Sequence, residues 1–384
     1  MSGTLGEYLA FALKHSPETR AAFERWRSAR FSISGAGRLP EPSISFGYYL
    51  RSVETRVGPQ RYKVGVSQVF PWPSKLSAGE EAAAERAAAA ALVMDATVLA
   101  IRWQVAKAYW TLWLIDEEQR LTSEHDAVLE ALAGAGRGRL QTGAASLAEL
   151  NQDDLNTARH HDHKGKHLEA ARRASAMLRS SLGARAGDEV LPATDQPSSG
   201  LPATAETELV ARSQVHPQIE RLAHLAIGES HRARSQAAER YPRFKVGMNL
   251  IGTGESSMPG VSDSGKDALV ITAGMSVPLW AGSYSDAEAA AHAAAKSHRA
   301  MAEAGARKAE AMVAEALSNV RDAQRRIELY EKTLVPQAES SFQAVLGGYQ
   351  SGRIAVASVI IAQRDLIDLQ LEHARAKADH AKAW

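Results

Sequence analysis

The chain of 384 residues contains no cysteine. Disulfides, thiolate metal sites, a cysteine nucleophile and a lipid-bearing cysteine are therefore excluded. Positive and negative charges nearly cancel, with 45 Lys+Arg against 44 Asp+Glu. The basic excess typical of nucleic-acid binding is missing, so we expect no nucleic-acid partner. No apolar run approaches the roughly 20 residues of a transmembrane helix, so any contact with a membrane must use β-strands.

Motifs for catalysis are also missing. The sequence has no Walker-type glycine loop, no His-Glu-x-x-His zinc motif and no Gly-x-Ser-x-Gly elbow. We therefore expect no enzyme, no catalytic residue, no cofactor and no metal site. The stretch Met1 to Phe11 lacks the basic start and apolar core of a secretion signal. This fits either a cytoplasmic protein or a mature form without its leader.

What the chain does contain is a duplication. The segment around Pro17 and Pro42 returns around Pro217 and Pro242, at an offset of 200 residues in both cases. Two further landmarks recur in the same order: Phe70, Pro71, Trp72 as Val277, Pro278, Leu279, Trp280, and Gln141, Thr142, Gly143 as Gln350, Ser351, Gly352. The repeated order predicts that each copy holds a helix, two strands, a long helix, a glycine turn and a returning helix.

Four short segments alternate apolar and polar residues, which is the pattern of β-strands. They are close to the about 9 to 11 residues with which a tilted strand crosses a bilayer. Prolines and aromatic residues flank them, as at the ends of membrane strands. On alternation alone a sheet with one buried face is favoured, but the rest of the chain offers no globular core for it to cover. The residues predicted to face lipid are Ile44, Phe46, Tyr48, Val64, Val66, Val246, Met248 and Ile271.

Each strand pair is followed by a very long helical pattern. Ser74 to Arg139 and Ser283 to Gly348 are equally long, and at about 1.5 Å per residue each helix extends roughly 100 Å. Within the first, two sets of apolar residues recur at coiled-coil spacing, so we expect helical neighbours on two sides. The sets are Val98, Ile101, Val105, Ala108, Leu112, Ile115 and Trp103, Trp110, Leu114, Leu121.

The landmarks divide the chain into two repeats, 1–200 and 201–384, joined by the proline-rich linker Leu191 to Pro202. The first repeat is predicted to have strands at about 43–50 and 62–70 and helices at about 4–38, 74–139 and 144–182. The second is predicted to have strands at about 243–251 and 268–277 and helices at about 204–240, 283–348 and 353–384.

Four strands cannot close a membrane barrel. An open edge in lipid leaves backbone groups without partners, and the smallest single-chain barrels have about 8 strands. The chain must therefore assemble with copies of itself. Two copies give about 8 strands with little lumen, whereas three give 12 strands around a wider pore.

These residues identify a family resemblance. The chain resembles the TolC-like outer-membrane efflux channels, the outer-membrane factors of tripartite export systems. The resemblance covers essentially the whole chain and rests on the element order, the strand exit Gln68 to Pro73 and the tip Gly352, Arg353, Ile354. It implies a mostly α-helical homotrimer whose strands form a 12-stranded membrane β-barrel joined to a long helical tunnel. The channel is expected in the outer membrane of a Gram-negative bacterium, in contact with lipid and projecting into the periplasm.

The same resemblance implies a function. The channel is expected to be a passive duct for small solutes, metal cations or drugs, which arrive from an inner-membrane transporter through a periplasmic adaptor protein. The segment around Pro71, Trp72, Pro73 and Lys75 is similar to members that accompany heavy-metal or drug pumps. His160, His163 and His167 share a helical face beside His161. A solvated surface is favoured there over a metal site, because a further ligand is missing.

The periplasmic tips are the other functional candidates. Family channels carry carboxylates just after the second tip, but the matching stretch here, Ala357 to Ala362, has none. Two interpretations stay open: arginines of the second tip pair with acids of the first to hold a closed state, or all are ordinary exposed charges. The residues are Glu149, Asp153, Asp154, Arg353 and Arg364, and adaptor docking is expected at Leu140, Leu147, Leu150 and Ile354.

Two alternative functions remain at this point. One is a type I protein secretion outlet with the same architecture, which no residue distinguishes from a solute channel. The other is a soluble coiled-coil scaffold or adaptor. The alternating strand pairs favour a channel over a scaffold, because a scaffold needs no lipid-facing band.

Overall fold

The computed structural model describes residues 3–141, 147–185 and 187–383, without the side chains of 129–154 and of several residues up to 163. This part of the chain is mainly helical and contains one antiparallel sheet. Contacts group the chain into two compact units. Unit 1 comprises Met1–Ala21, Asp95–His216 and Ala306–Trp384, and unit 2 comprises Ala22–Met94 and Pro217–Gly305.

The sheet lies in unit 2 and combines strands from both halves of the sequence. Its strands are β1 (Ser43–Tyr48), β2 (Glu54–Thr55), β3 (Gly58–Phe70), β4 (Arg243–Thr253) and β5 (Ala268–Ser276). The order is β1-β3-β4-β5, all antiparallel, with the short β2 paired to β3. Each hairpin therefore supplies two neighbouring strands, and β3 and β4 join the hairpins.

The strand bounds differ slightly from those predicted. β3 begins at Gly58 rather than at 62, because its first residues pair with β2 and with Thr253 of β4. β4 extends to Thr253 for the same reason. β1 ends at Tyr48, although the backbone N–H of Tyr49 still donates to the carbonyl of Arg61 at 3.0 Å. β2 was not predicted, since its two residues carry no alternation.

The helices of the first half are α1 (Leu5–His15), α2 (Pro17–Ala36), α3 (Pro73–Gln141) and α4 (Leu147–Leu182). The prediction of one helix over 4–38 is wrong, because the chain breaks at Ser16. The Ser16 hydroxyl accepts the backbone N–H of Glu18 at 3.1 Å and Pro17 starts the new helix. A serine cap followed by proline at the first helical position is a strong helix start.

The second half contains α5 (Glu206–Gln214), α6 (Pro217–Ala237), α7 (Ala281–Leu329), α8 (Val335–Gln350) and α9 (Val356–Ala383). The helix predicted over 204–240 is two helices divided before Pro217, followed by a short 3₁₀ turn. The helix predicted over 283–348 begins at Ala281 and contains a π-helical turn, Tyr330–Leu334. That turn lies next to Pro336, whose nitrogen cannot donate to an α-helical bond.

The core of unit 1 lies around the middle of α3. Ile101, Val105, Ala108 and Leu112 are buried there, which confirms most of the first predicted seam. Side chains from α1, α4 and α9 complete the cluster: Tyr8, Ala12, Ala174, Leu178, Leu182 and Ala378. Trp103, placed in the second seam, is instead 58% exposed. No helix among the described residues combines the length and the apolar character needed to cross a membrane.

Candidate functional site

The sheet has two chemically different faces. Cross-strand partners lie on the same face, so the register aligns side chains into rows across the strands. One such row is Ile44, Val66, Met248 and Ile271. Two further rows on this face are Phe46, Val64, Leu250, Leu269 and Phe70, Phe244, Met275. Tyr48, opposite Tyr62, and Val246, opposite Gln68 and Ala273, lie on the same side, so all eight residues predicted to face lipid share this apolar face.

The side chains of the apolar face are exposed in the single chain. Ile44 is 81% exposed and Ile271 is 75% exposed, and the other residues of the three rows are exposed as well. Large aliphatic and aromatic side chains in contiguous rows rarely stay uncovered in a soluble monomer. The face therefore needs an apolar environment outside this chain.

The opposite, polar face carries small and hydrophilic residues. The row Ser43, Ser67, Gly247 and Thr272 lies directly next to the row Ser45, Gly65, Asn249 and Val270. Side chains converge on this face. A Cβ on Gly65 would lie 2.3 Å from Oδ1 of Asn249, and one on Gly247 would lie 2.8 Å from Oγ1 of Thr272.

At the end of the sheet where β3 ends and β4 begins, the polar side chain of Gln68 has hydrogen-bond partners. Gln68 interrupts the apolar face, but its amide nitrogen donates to the carbonyls of Pro40 at 2.7 Å and Val69 at 2.9 Å. Trp72 stacks on Tyr241 with ring centroids 4.7 Å apart, and Trp280 is exposed. Amphipathic rings at strand ends are typical of the boundary between lipid and water.

At the other ends, the two hairpin connections bind each other. Glu54 accepts hydrogen bonds from the backbone N–H and hydroxyl of Ser257, at 3.4 and 3.2 Å. Gly58 has a φ of +132°, and a Cβ there would lie 1.8 Å from the carbonyl oxygen of Gly254. Only glycine fits this contact.

The second helical turn, between α8 and α9, is a compact structure. Gly352 has a φ of +75°, which reverses the chain. Ile354 packs over Gly348, where a Cβ would lie 2.4 Å from the isoleucine Cδ1. The Arg353 Nε donates to the Ser351 hydroxyl at 3.0 Å. Arg364 lies 3.9 Å from Asp368 on its own helix.

Most of the first tip lies outside the description. The side chains of Glu149, Asp153, Asp154, Leu140, Leu147 and Leu150 are outside the described residues, as are those of His160, His161 and His163. His167 is half-buried. Among the residues that the structure does describe, no group of three or more histidine, aspartate or glutamate side chains could hold a metal ion.

A polar contact below the second tip was missed by sequence reasoning. Gln363 is buried in α9 and its amide donates to the carbonyl of His125 in α3 at 3.0 Å. Two turns further along α9, Oε1 of Gln370 lies 2.8 Å from the His125 Nε2. Beside them, Phe342, Val359 and Leu366 form a small apolar cluster. These contacts hold α9 to α8 and α3. The contacting residues are far apart in the sequence, so residue spacing could not predict them.

A second missed feature is the attachment of the linker to the helices of unit 1. The buried Tyr109 hydroxyl donates to the carbonyl of Gly3 at 3.0 Å and accepts the backbone N–H groups of Thr194 and Asp195 at 3.1 and 2.9 Å. The Tyr8 hydroxyl donates to the carbonyl of Leu191 at 2.8 Å. Burial raises the pKa of both tyrosines. Both hydroxyls therefore stay protonated and able to donate.

Comparison with known proteins places this architecture. Residues 213–384 match the family model described as outer membrane efflux protein. No curated protein sequence matches the chain.

Several solved structures share the fold. A membrane protein from Pseudomonas aeruginosa aligns with a TM-score of 0.82 and 16% identity over 99% of this chain and 90% of that one. The outer membrane protein VceC from Vibrio cholerae has a TM-score of 0.79 and 20% identity over 99% and 93%. The outer membrane channel CmeC from Campylobacter jejuni has a TM-score of 0.79 and 13% identity over 99% and 83%.

The resemblance found in the sequence is thus confirmed in two respects: residues 213–384 match the outer membrane efflux protein model, and over 99% of its length the chain shares the fold of VceC and of the CmeC channel.

Proposed function

We propose that this protein is the outer-membrane channel subunit of a tripartite efflux system in a Gram-negative bacterium. It acts as a passive duct, without catalysis, for small solutes delivered by an inner-membrane transporter through a periplasmic adaptor protein. The observation that carries the proposal is the sheet, which has a bare apolar face, a polar face and two edge strands.

The edges of the sheet support assembly into a homotrimer. β1 and β5 are the outermost strands, so each leaves one side without a strand partner in the described chain. In lipid, each unpaired backbone group costs several kcal/mol, which only a closed barrel avoids. Pairing β1 of one subunit with β5 of the next closes the sheet. Three subunits give 12 strands and a lumen, whereas two give a barrel of about 8 strands that side chains fill.

The faces then have defined roles. Ile44, Val66, Met248 and Ile271 contact the lipid chains, and the aromatic rings of Trp72 and Trp280 lie at the membrane surface. The polar face, with Ser67, Gly247 and Thr272, lines the pore. The arrangement is that of a transmembrane barrel, in which apolar and polar residues alternate between lipid and water.

The tips are proposed as the gate and the docking site. Arg353 and Arg364 of one subunit pair with Glu149, Asp153 or Asp154 of a neighbour in the closed state. Leu140, Leu147, Leu150 and Ile354 receive the helices of the adaptor. The exposed position of Arg353 supports this reading, because its guanidinium contacts only the Ser351 hydroxyl among the described residues.

The test uses the full chain purified in detergent. We expect light scattering to give the mass of a trimer, and gels to show an oligomer band that heating dissociates. We also expect ion currents when the trimer is added to planar bilayers. A monomer that stays in solution without detergent would refute the channel and favour the scaffold. In the same bilayers Arg353→Ala is expected to raise single-channel conductance, with Arg299→Ala, far from the tip in sequence, as the matched control. Equal conductance of both variants would remove the arginine gate while leaving the channel intact.

A further inference from the structure

The charge on the four longer strands has one sign. β1, β3, β4 and β5 contain no aspartate and no glutamate. They contain four cationic residues, Arg61, Lys63, Arg243 and Lys245. For a chain whose overall charge is balanced, this segregation is a local feature of the sheet.

Three of these cations lie on the polar face. Lys63 lies opposite Gly47 of β1 and Ile251 of β4. Lys245 lies opposite Val69 of β3 and Gly274 of β5. Arg243 precedes Lys245 by two residues and lies opposite Ser276, which places it on the same face. None of the three forms an ion pair within the described part of the chain.

The cations stand at both ends of the polar face. Lys245 pairs with Val69, and Lys63 is about 20 Å from Val69 along β3 at roughly 3.4 Å per residue. The rows between them carry serine, glycine, asparagine, threonine and one valine, Val270, and no charged residue. A solute that passes along this face therefore meets positive charge, then neutral hydrogen-bonding groups, then positive charge again.

The connections do not reverse this charge. From 43 to 70 and from 243 to 276 the sequence has seven basic and four acidic residues, a net charge of +3. The basic excess thus belongs to the whole strand section.

We propose that the strand section of this channel selects for anionic small solutes, such as those carrying carboxylate, phosphate or sulfonate groups, and disfavours free metal cations. The inference rests on the proposed function, because it requires the polar face to line the pore. In a trimer Lys63, Arg243 and Lys245 contribute nine positive charges to one water-filled lumen. Rings of lysine and arginine side chains are the usual means of anion selection in pores.

The distance over which these positive charges act on a solute depends on the salt concentration. The Debye length is about 10 Å at 0.1 M and about 3 Å at 1 M ionic strength. At low salt the fields of the two ends reach across the lumen, whereas at high salt each lysine is screened. Selectivity that comes from these residues must therefore decline as salt rises.

The test is the permeability ratio of chloride to potassium in planar bilayers that hold the trimer. We expect a ratio above one in dilute KCl, which falls toward one at about 1 M KCl. The double variant Lys63→Gln, Lys245→Gln is expected to lower the ratio at low salt by several-fold. Lys63→Arg with Lys245→Arg retains the charge and is expected to keep the ratio of the unchanged protein.

The outcomes separate the inference from the function on which it rests. Channels with a ratio at or below one, or a glutamine variant with an unchanged ratio, would overturn anion selection while leaving the channel in place. Absence of any current from correctly assembled trimers would overturn the channel itself, and the inference with it. If the glutamine variant fails to assemble, the salt dependence of the unchanged protein still decides, since a ratio independent of salt contradicts selection by these charges.

Discussion

The orientation of the sheet can be tested by placing a charge on each face in turn. Ile271 and Thr272 are neighbours near the middle of β5 and point to opposite faces. Ile271 ends the row that begins with Ile44, and Thr272 ends the row that begins with Ser43. The two variants are Ile271→Arg and Thr272→Arg. They add the same side chain to the same strand, and both positions are exposed in the single chain.

The expected energies differ greatly. An arginine on the lipid face of a barrel costs about 2 to 4 kcal/mol at the bilayer centre. Every subunit carries the change, so the trimer loses roughly 6 to 12 kcal/mol. On the pore side the guanidinium stays in water, and the cost is that of an ordinary surface substitution, about 0.5 kcal/mol or less.

The assay is folding into lipid vesicles, followed by the fraction of heat-sensitive trimer on gels and by the urea midpoint. We expect Thr272→Arg to assemble like the unchanged protein and Ile271→Arg to lose most of the trimer. Equal behaviour of the two variants would refute the assignment of the faces.

A third variant, Met275→Arg, distinguishes an apolar face that contacts lipid from one that contacts another protein. Met275 shares the face of Ile271 but lies at the end of β5, where the cost in lipid falls to about 0 to 1 kcal/mol. A protein interface would not produce that decline with depth.

Two further predictions concern the helices of unit 1. Tyr109→Phe removes the acceptor of two backbone N–H groups, and at about 1 to 3 kcal/mol per unsatisfied buried group we expect a clearly lower urea midpoint. Tyr8→Phe, which loses one hydrogen bond to Leu191, serves as the milder comparison, and equal losses would contradict the role of Tyr109. Burial raises the pKa of Asp116, against the opposing effect of the Ala193 backbone N–H. The folded state therefore binds this proton more tightly than the unfolded state, and ionisation above the raised pKa opposes folding. Asp116→Asn is expected to raise the urea midpoint at pH 7, with a difference that shrinks as pH falls toward about 4, and a difference independent of pH would contradict burial as the cause.

The faces of the strands could be predicted from the sequence because their signal is local. Alternation along a strand assigns each residue to one side of the sheet without knowledge of any partner strand. Ile44 and Met248 were therefore both assigned to the apolar side, and the register aligns them in one row. The start of β3 at Gly58 could not be predicted in this way, since it depends on pairing with Thr55 and Thr253.

Some helix boundaries were predicted incorrectly even though their signal was local. Ser16 and Pro17 were visible in the sequence and served as landmarks of the duplication, yet they also form a helix cap and a helix start. The break before Pro217 repeats the proline at the first helical position, although His216 stands where the first break has Ser16. In contrast, the contacts of Tyr109 with Thr194 and of Gln363 with His125 join residues far apart in the chain. No spacing rule connects such partners, so only the fold could reveal them.

For the cations of the polar face, one part was predictable from local sequence and another required the fold. Alternation along the strands places Lys63 and Lys245 on the polar side, but their significance depends on which residues lie beside them in neighbouring strands. Each lies next to a glycine on one side, Gly47 or Gly274, and a Cβ at either glycine would meet no atom within 4 Å. At the middle of the same face, Gly65 and Gly247 have no such space. Long cationic side chains are therefore accommodated at the two ends of the face and not between them.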